Sequence, residues 1–342
     1  MSIPSRFIHP RPPFNKNPVY HQQPPASPVH LSGSLVLRSG TNGAVPQAAL
    51  KNPMGQDMEL LEIKFELFGV NQTPGFAGTS QYGGAVWCEL TMGKIKLTNG
   101  SIPVWNFGRS ENHAGEFKTD NAFDLLYMAY SWRLPRPLFI PAGAVVVPNF
   151  THTGFISDTI NVRVGYSGRT VFVKPKKVYV PWVAKYASKV FNPISAAGVD
   201  NSTELDLVNP HPEVLHLQRF VGRTMSHLST GPQAGATSET APESFGSKFL
   251  SVRVTDSYGR PIVRSYTPFR DVFGALTRSW EMDNGAELDP QSFYRVALKK
   301  DAAALVPNSQ NDVAQAFISM VGWREMSGED LSSNAEAESD GQ

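Results

Sequence analysis

The stretch "MAYSWRLPRPLFIPAGAVVVPNFTHTG", residues 128–154, decides the fold class. It is apolar, yet Pro135, Pro137, Pro141 and Pro148 interrupt it. A helix is excluded, because each ring removes a backbone donor and clashes with the preceding turn at a cost of about 3 kcal/mol. What remains is a series of short extended pieces, "SWRL", "LFI" and "AVVVP", with prolines at strand ends or edges and Gly143 in a turn. Such a segment fits the corner of a β-sandwich.

The flanking sequence has the same texture. In "ELLEIKFELFGV" the alternation predicts a strand with Leu61, Ile63, Phe65 and Leu67 on one face and Glu62, Lys64 and Glu66 on the other. "GAVWCELTMGKIKLTNGSIPVWNF" supplies two more strands, with Asn99-Gly100 as a hairpin signal. In "DNAFDLLYMAYSW" the spacing of Phe123, Leu126, Tyr127 and Tyr130 turns helical, with Asp120 or Asn121 as cap, and predicts a short helix. "INVRVGYSGRTVFV" alternates again and closes a first domain near residue 175. The basic, proline-flanked segment that follows reads as a connector, in which "VAKYASKVF" predicts a two-turn amphipathic helix. The small polar residues of 229–247 predict a long exposed loop.

The two halves of the chain echo each other. "GKIKLTNGSIPVWNFG" aligns with "SVRVTDSYGRPIVRSYTPFRDVFG", "YSWRLPRPLFIPAGAVVV" with "RSWEMDNGAELDPQSFYRVAL", and "INVRVGYSGRTV" with "AFISMVGWREM". Trp280 follows Trp132 by 148 residues, and Trp323 follows Tyr166 by 157. The expectation is an all-β chain of two tandem antiparallel β-sandwiches with a few short helices. Its parts are an extended, basic, proline-rich N-terminal arm over 1–56, a first sandwich over 57–175, a connector over 176–208, a second sandwich over 209–326 and an acidic disordered tail over 327–342.

Composition limits the function classes. Hydrophobic residues make up 41% and charged residues 18% of the 342, so large cores are affordable and global disorder is excluded. The net charge of +1 names no partner, but its distribution is uneven. Residues 1–56 hold Arg6, Arg11, Lys16, Arg38 and Lys51 with no acid, and the chain beyond Arg324 is acidic or neutral. Cys88 is the single cysteine, so an intramolecular disulfide is impossible and a reducing place of synthesis, the cytoplasm, is expected. No apolar leader or 18-residue apolar run is present, so neither secretion nor membrane spanning is expected.

Catalytic motifs are missing: there is no G-x-S-x-G elbow, Walker loop, H-E-x-x-H or EF-hand loop. His152 in "HTG" and His113 with Glu111 and Glu116 are the best metal candidates, and a turn with solvated side chains accounts for them as well. Asp120 and Asp124 lie one helical turn apart, as a carboxylate pair or as capping residues. No catalytic residue, metal or cofactor is expected. Lys174, Lys176, Lys177, Lys185 and Lys189 are interleaved with Phe172, Tyr179, Trp182 and Tyr186, a pattern that suits nucleic acid, an anionic membrane surface, or aromatics packing between two domains.

Two tandem sandwiches, a proline-rich arm, a connector, no catalytic motif and a cytoplasmic origin resemble the double jelly-roll major capsid proteins of tailless icosahedral bacterial viruses. The resemblance spans residues 58–326, with "SWRLPRPLFIPAGAVVVP" and "SWEMDNGAELDPQSFYRVAL" at equivalent points of two jelly rolls. It implies a virion protein that forms a homotrimer of pseudo-sixfold outline and then a shell lattice with other virion proteins. Arg6, Arg11, Lys16 and the connector lysines would then face genome or internal membrane. It also implies a helix ahead of the last strands of each roll, for which the second half offers only "VAQAFISM", readable as a weak helix or as a strand. Two other classes compete: a receptor-binding sandwich with Trp105 and Trp132 in a glycan groove, and a carbohydrate-active jelly-roll enzyme.

Overall fold

The computed structural model describes residues 28–37, 42–44, 50–51, 55–70, 86–107, 109–110, 127–152, 159–184, 187–191, 202–227, 237–239, 250–273, 279–282, 286–300 and 313–336. The first half contains β1 (Pro28–Leu37), β2 (Asn42–Ala44), β3 (Leu50–Lys51), β4 (Met58–Val70), β5 (Val86–Met92), β6 (Ile95–Lys96), β7 (Ile102–Pro103), β8 (Arg109–Ser110), β9 (Tyr127–Ile140), β10 (Val145–His152) and β11 (Thr159–Thr170). One sheet has the order β1-β11-β4-β9-β8. The facing sheet runs β2-β10-β5-β6, with β3 beside β10 and β7 beside β5.

The second half contains β12 (Lys177–Val183), β13 (Ala187–Phe191), β14 (Ser202–Val208), β15 (Leu215–His227), β16 (Thr237–Glu239), β17 (Leu250–Asp256), β18 (Pro261–Pro268), β19 (Ser279–Glu281), β20 (Glu287–Leu288), β21 (Phe293–Lys300) and β22 (Val313–Ser327). Among the described residues two α-helices accompany it, α1 (Phe269–Phe273) and α2 (Gly328–Glu336). Its sheets are β12-β22-β15-β16, with β13 on β22 and β19 and β20 on β15, and β14-β21-β17-β18. Counting each interrupted strand once and setting aside the short additions β8 and β16, both halves have one strand order. One sheet runs first, eighth, third, sixth and the other second, seventh, fourth, fifth, which is the jelly roll. The chain is therefore all-β, two jelly rolls in tandem.

The opening proline stretch is resolved in strands, with a physical reason for Pro135, Pro137 and Pro148, while Pro141 directly follows β9. "SWRL" and "LFI" are one strand, β9, rather than two pieces. Its register against β4 jumps from Glu62↔Arg133 to Leu60↔Leu138, so Leu134–Pro137 bulge out and the ladder asks nothing of Pro135 and Pro137. Pro148 pairs with Leu90 of β5 on one side and faces the gap between β2 and β3 on the other. Gly143 turns the chain between β9 and β10 with φ +86°.

Several expectations are corrected. Residues 28–37, 42–44 and 50–51, assigned to an arm, supply the first two strand positions of roll one, and 177–183, 187–191 and 202–208, assigned to a connector, supply the first two of roll two. Ala187–Phe191 is a strand because it pairs with Ala314–Ile318 of β22, and this long-range ladder outweighs its helical spacing. Tyr127–Tyr130 likewise belongs to β9, paired with Phe65–Phe68; residues 120–126 lie outside the described set. "VAQAFISM" is strand β22, not a helix. Gly328–Glu336, expected to be disordered, is a helix, and Thr237–Glu239 within the expected loop pairs with β15. In β4 a one-residue bulge at Leu61 reverses the alternation: Met58 and Leu60 are buried with Ile63, Phe65 and Leu67, and Leu61 is 38% exposed.

Each roll packs its own core, the first around Phe65, Phe107, Trp132 and Phe150, the second around Trp182, Phe220, Phe269 and Met320. The first cluster continues through Val178, Val180, Val183, Val221, Phe317 and Val321 of the second roll. The sheet β12-β22-β15 thus buries both faces, one in its own roll and one against its neighbour.

Candidate functional site

The chemistry-bearing surfaces of this chain are the seam between the rolls and the two ends of the paired barrels. At the seam, Thr98 bridges Val183 in parallel fashion, Val183 N–H donates to the Leu97 carbonyl at 3.0 Å and Asn99 N–H to the Val183 carbonyl at 3.0 Å. Roll one's edge strand is thereby joined to roll two's. Deeper in, the Asn106 side-chain amide donates to Ser319 Oγ at 2.7 Å, and Arg219 donates to the Phe107 carbonyl at 3.2 Å. The Trp105 and Phe317 rings meet edge-on at 5.8 Å. Arg136, thrown outward by the β9 bulge, lies 5.5 Å over Tyr179 and 5.3 Å over Trp323 of the second roll, a cation–π contact. Trp323 in turn stacks on His216 at 4.0 Å.

Helix α2 closes the seam from one end. Ser327 caps it by accepting from Asp330 N–H at 3.0 Å, and its Gly328 N–H donates to the Lys176 carbonyl at 3.0 Å. Leu331 and Ala335 enter the core of the first roll, and Lys94 N–H donates to the Asn334 carbonyl. Gly93 makes this approach possible: a Cβ there would sit 2.4 Å from the Asn334 carbonyl oxygen, and its φ is +55°. "SGED" at 327–330 is the capping signal in the sequence that identifies this helix.

The rolls stand side by side with like ends together, because β12 starts where β11 ends and runs parallel to the Thr98 strand. One end carries the short connections β5–β6, β9–β10, β11–β12, β14–β15, β17–β18 and β20–β21, together with α2. The strands that flank 71–85, 111–126, 228–249 and 301–312 terminate at the other end; of those residues only Thr237–Glu239 belong to the described set.

The expected basic cluster divides between these regions. Lys174, Lys176 and Lys177 are exposed at the short-turn end. Lys177 is held by Glu325 at 3.0 Å, and that hydrogen bond raises its pKa. Lys189 instead belongs to β13, on the strand edge of roll two. Lys185, Arg6, Arg11 and Lys16 lie outside the described residues, as do Glu111, His113, Glu116, Asp120 and Asp124. Trp182, grouped with the lysines as an aromatic for bases, is a core residue of roll two.

Trp105 and Trp132 do not form a glycan groove: both are fully buried, Trp132 against Phe107 at 5.3 Å. Cys88 is buried, and burial pushes its thiol pKa well up. Among the described residues no group of three His, Cys, Asp or Glu side chains is placed to hold a metal. One polar niche escaped the sequence reading. His211, in the turn between β14 and β15, sits edge-on to Trp182 at 5.0 Å with its buried Nε2 unpartnered. Burial and the neighbouring Arg324 guanidinium lower its pKa to about 4, against the opposing pull of Glu213, which holds Arg324 at 2.9 Å.

No protein-family model matches the chain and no curated sequence matches it. The chain is similar to several solved structures, at TM-scores below 0.5. PBCV-1 VP54, fitted into a cryo-EM reconstruction of the virophage Sputnik, is 9% identical, with 89% of this chain and 96% of that one covered at a TM-score of 0.48. The STIV MCP is 12% identical, with 86% and 96% covered at 0.42. The major capsid protein P2 from bacteriophage PM2 is 11% identical, with 86% and 98% covered at 0.39.

Proposed function

We propose that the chain is the major structural protein of a virion, a non-enzymatic capsid protein that assembles with itself into an icosahedral shell. The observation that carries this reading is the pairing of two jelly rolls of one strand order, upright and fused along a buried seam. Three such chains around a threefold axis present six nearly equivalent uprights, so a homotrimer tiles like a hexamer. The seam suits this role, since polar bonds such as Asn106–Ser319 and the α2 clamp fix the angle between the rolls instead of leaving a hinge. Residues 1–27, basic and rich in proline, would lead from β1 to neighbours, genome or membrane in the assembled virion. The long connections at the end opposite α2 would face outward, where variable segments are tolerated.

Imaging of the purified protein tests this reading. Class averages with six density peaks around a threefold axis are expected. Particles with only the two lobes of a single chain contradict it.

A further inference from the structure

Arg324 is only 7% exposed, and the jelly roll itself gives no reason for a cation there. Along β22, Ala316, Ile318 and Met320 enter the core of roll two, and alternation puts Arg324 on the same face at the short-turn end. Roll one has Thr170 at this place, two residues after Gly168 as Arg324 is two residues after Gly322. That threonine is buried, so the same end of roll one closes without charge.

A buried guanidinium is costly unless its donors are used. Glu213 takes one, 2.9 Å from Nη1, and the buried Nε–H has no hydrogen-bond partner among the described residues. His211 closes over the same niche, near enough for the Arg324 and Glu213 charges to act on its ring. Its Nε2 is buried and unpartnered too, and Trp182 flanks the ring at 5.0 Å. The turn that carries it is fixed: His211 N–H donates to Asn209 Oδ1 at 3.0 Å, and the Asn209 amide donates to the carbonyls of Glu213, Leu288 and Asp289. Two buried nitrogens without partners in one niche call for a ligand that accepts from both.

We propose that the short-turn end of roll two binds a small inorganic anion of the size of chloride, which accepts from Arg324 Nε–H and from the His211 ring. Charge decides when the site fills. Arg324 and Glu213 cancel, β12 presents the uncharged Trp182, and the β20–β21 turn meets Asn209 through main-chain carbonyls while Asp289 itself is exposed. Proton uptake by His211 makes the niche cationic and turns Nε2 into a donor. Burial and Arg324 hold the His211 pKa at about 4, and an anion between ring and guanidinium favours the charged ring and raises that value. Proton and anion thus enter together, and chloride protects roll two in the acid range where His211 titrates. The site is independent of how the chain assembles.

The test uses the full chain and chloride itself, read as broadening of the chlorine NMR line, with gluconate replacing chloride to hold the ionic strength. The broadening by the native chain in excess of that by His211→Gln is expected to grow at least about tenfold between about pH 6 and about pH 4. In the same window, exchanging gluconate for chloride raises the urea midpoint of the native chain more than that of His211→Gln. Glu213→Gln removes the charge that balances Arg324, so this variant takes up chloride near neutral pH, where the native chain does not. Circular dichroism verifies that each chain is folded where it is measured. Equal broadening by the native chain and His211→Gln throughout means a niche that holds only water, and overturns the proposal. So does a folded Glu213→Gln chain that ignores chloride at neutral pH.

Discussion

Gly168 of β11 and Gly322 of β22 occupy the same place in the two rolls. A Cβ on Gly168 would stand 2.4 Å from the Glu59 carbonyl oxygen, and one on Gly322 would stand 2.3 Å from that of His216. In each roll the glycine of the last strand faces a one-residue bulge in the third, at Leu61 in one and Gln218 in the other. Trp132 and Trp280 match as well, each on the sixth strand and paired to the third, at Ile63 and Phe220. Gly168→Ala and Gly322→Ala should each destabilise the chain by about 1–3 kcal/mol through backbone overlap, read as a lowered denaturation midpoint. A neutral result at either site would mean that the bulge yields freely.

The seam makes a separate prediction. Ser319→Ala leaves the buried Asn106 amide without its partner, and the cost should be about 1–3 kcal/mol. The same change combined with Asn106→Leu should cost less than the two single effects added, because the orphaned amide is gone. Strict additivity in urea denaturation would count against a direct bond.

Much of this was legible in the sequence, and the failures share a cause. The prolines of 128–154 and the alternation after Met58 specify β structure locally, and the repeat found in "YSW…" and "RSW…" falls on equivalent strands. The opening strands of each roll were not legible, because 28–37 and 187–191 become strands only through partners over 100 residues away, at Ile160–Arg169 and Ala314–Ile318. Short apolar runs of this kind carry both helical and extended periodicity, and tertiary pairing decides. The seam bond Asn106–Ser319 spans 213 residues of chain and has no periodic signature at all.

Truncation separates the arm from the fold. Removing residues 1–27 should leave a cooperatively folded chain that assembles poorly. Removing 1–56 takes away β1, β2 and β3 and uncovers the core at Val162, Val164 and Val146, so unfolding or aggregation is expected in circular dichroism and size exclusion. A well-folded product of the longer deletion would contradict the assignment of 28–51 to the first roll.

His211 gives the chain a pH dependence of known sign. Its folded pKa of about 4 lies below the ordinary 6.5, so between those values the unfolded chain binds a proton that the folded chain refuses. The stability it confers is full above about pH 6.5 and is lost progressively toward pH 4, by roughly 1–2 kcal/mol once solvent screening at this half-buried site is discounted. His211→Gln should flatten the urea midpoint over this window relative to the native chain. An identical slope in both proteins would remove His211 as its source.

The mass of the purified protein in solution, by light scattering coupled to size exclusion, tests the capsid account most directly. A species of three times the 37.5 kDa chain that persists on dilution is the predicted result. A stable monomer at every concentration would contradict it.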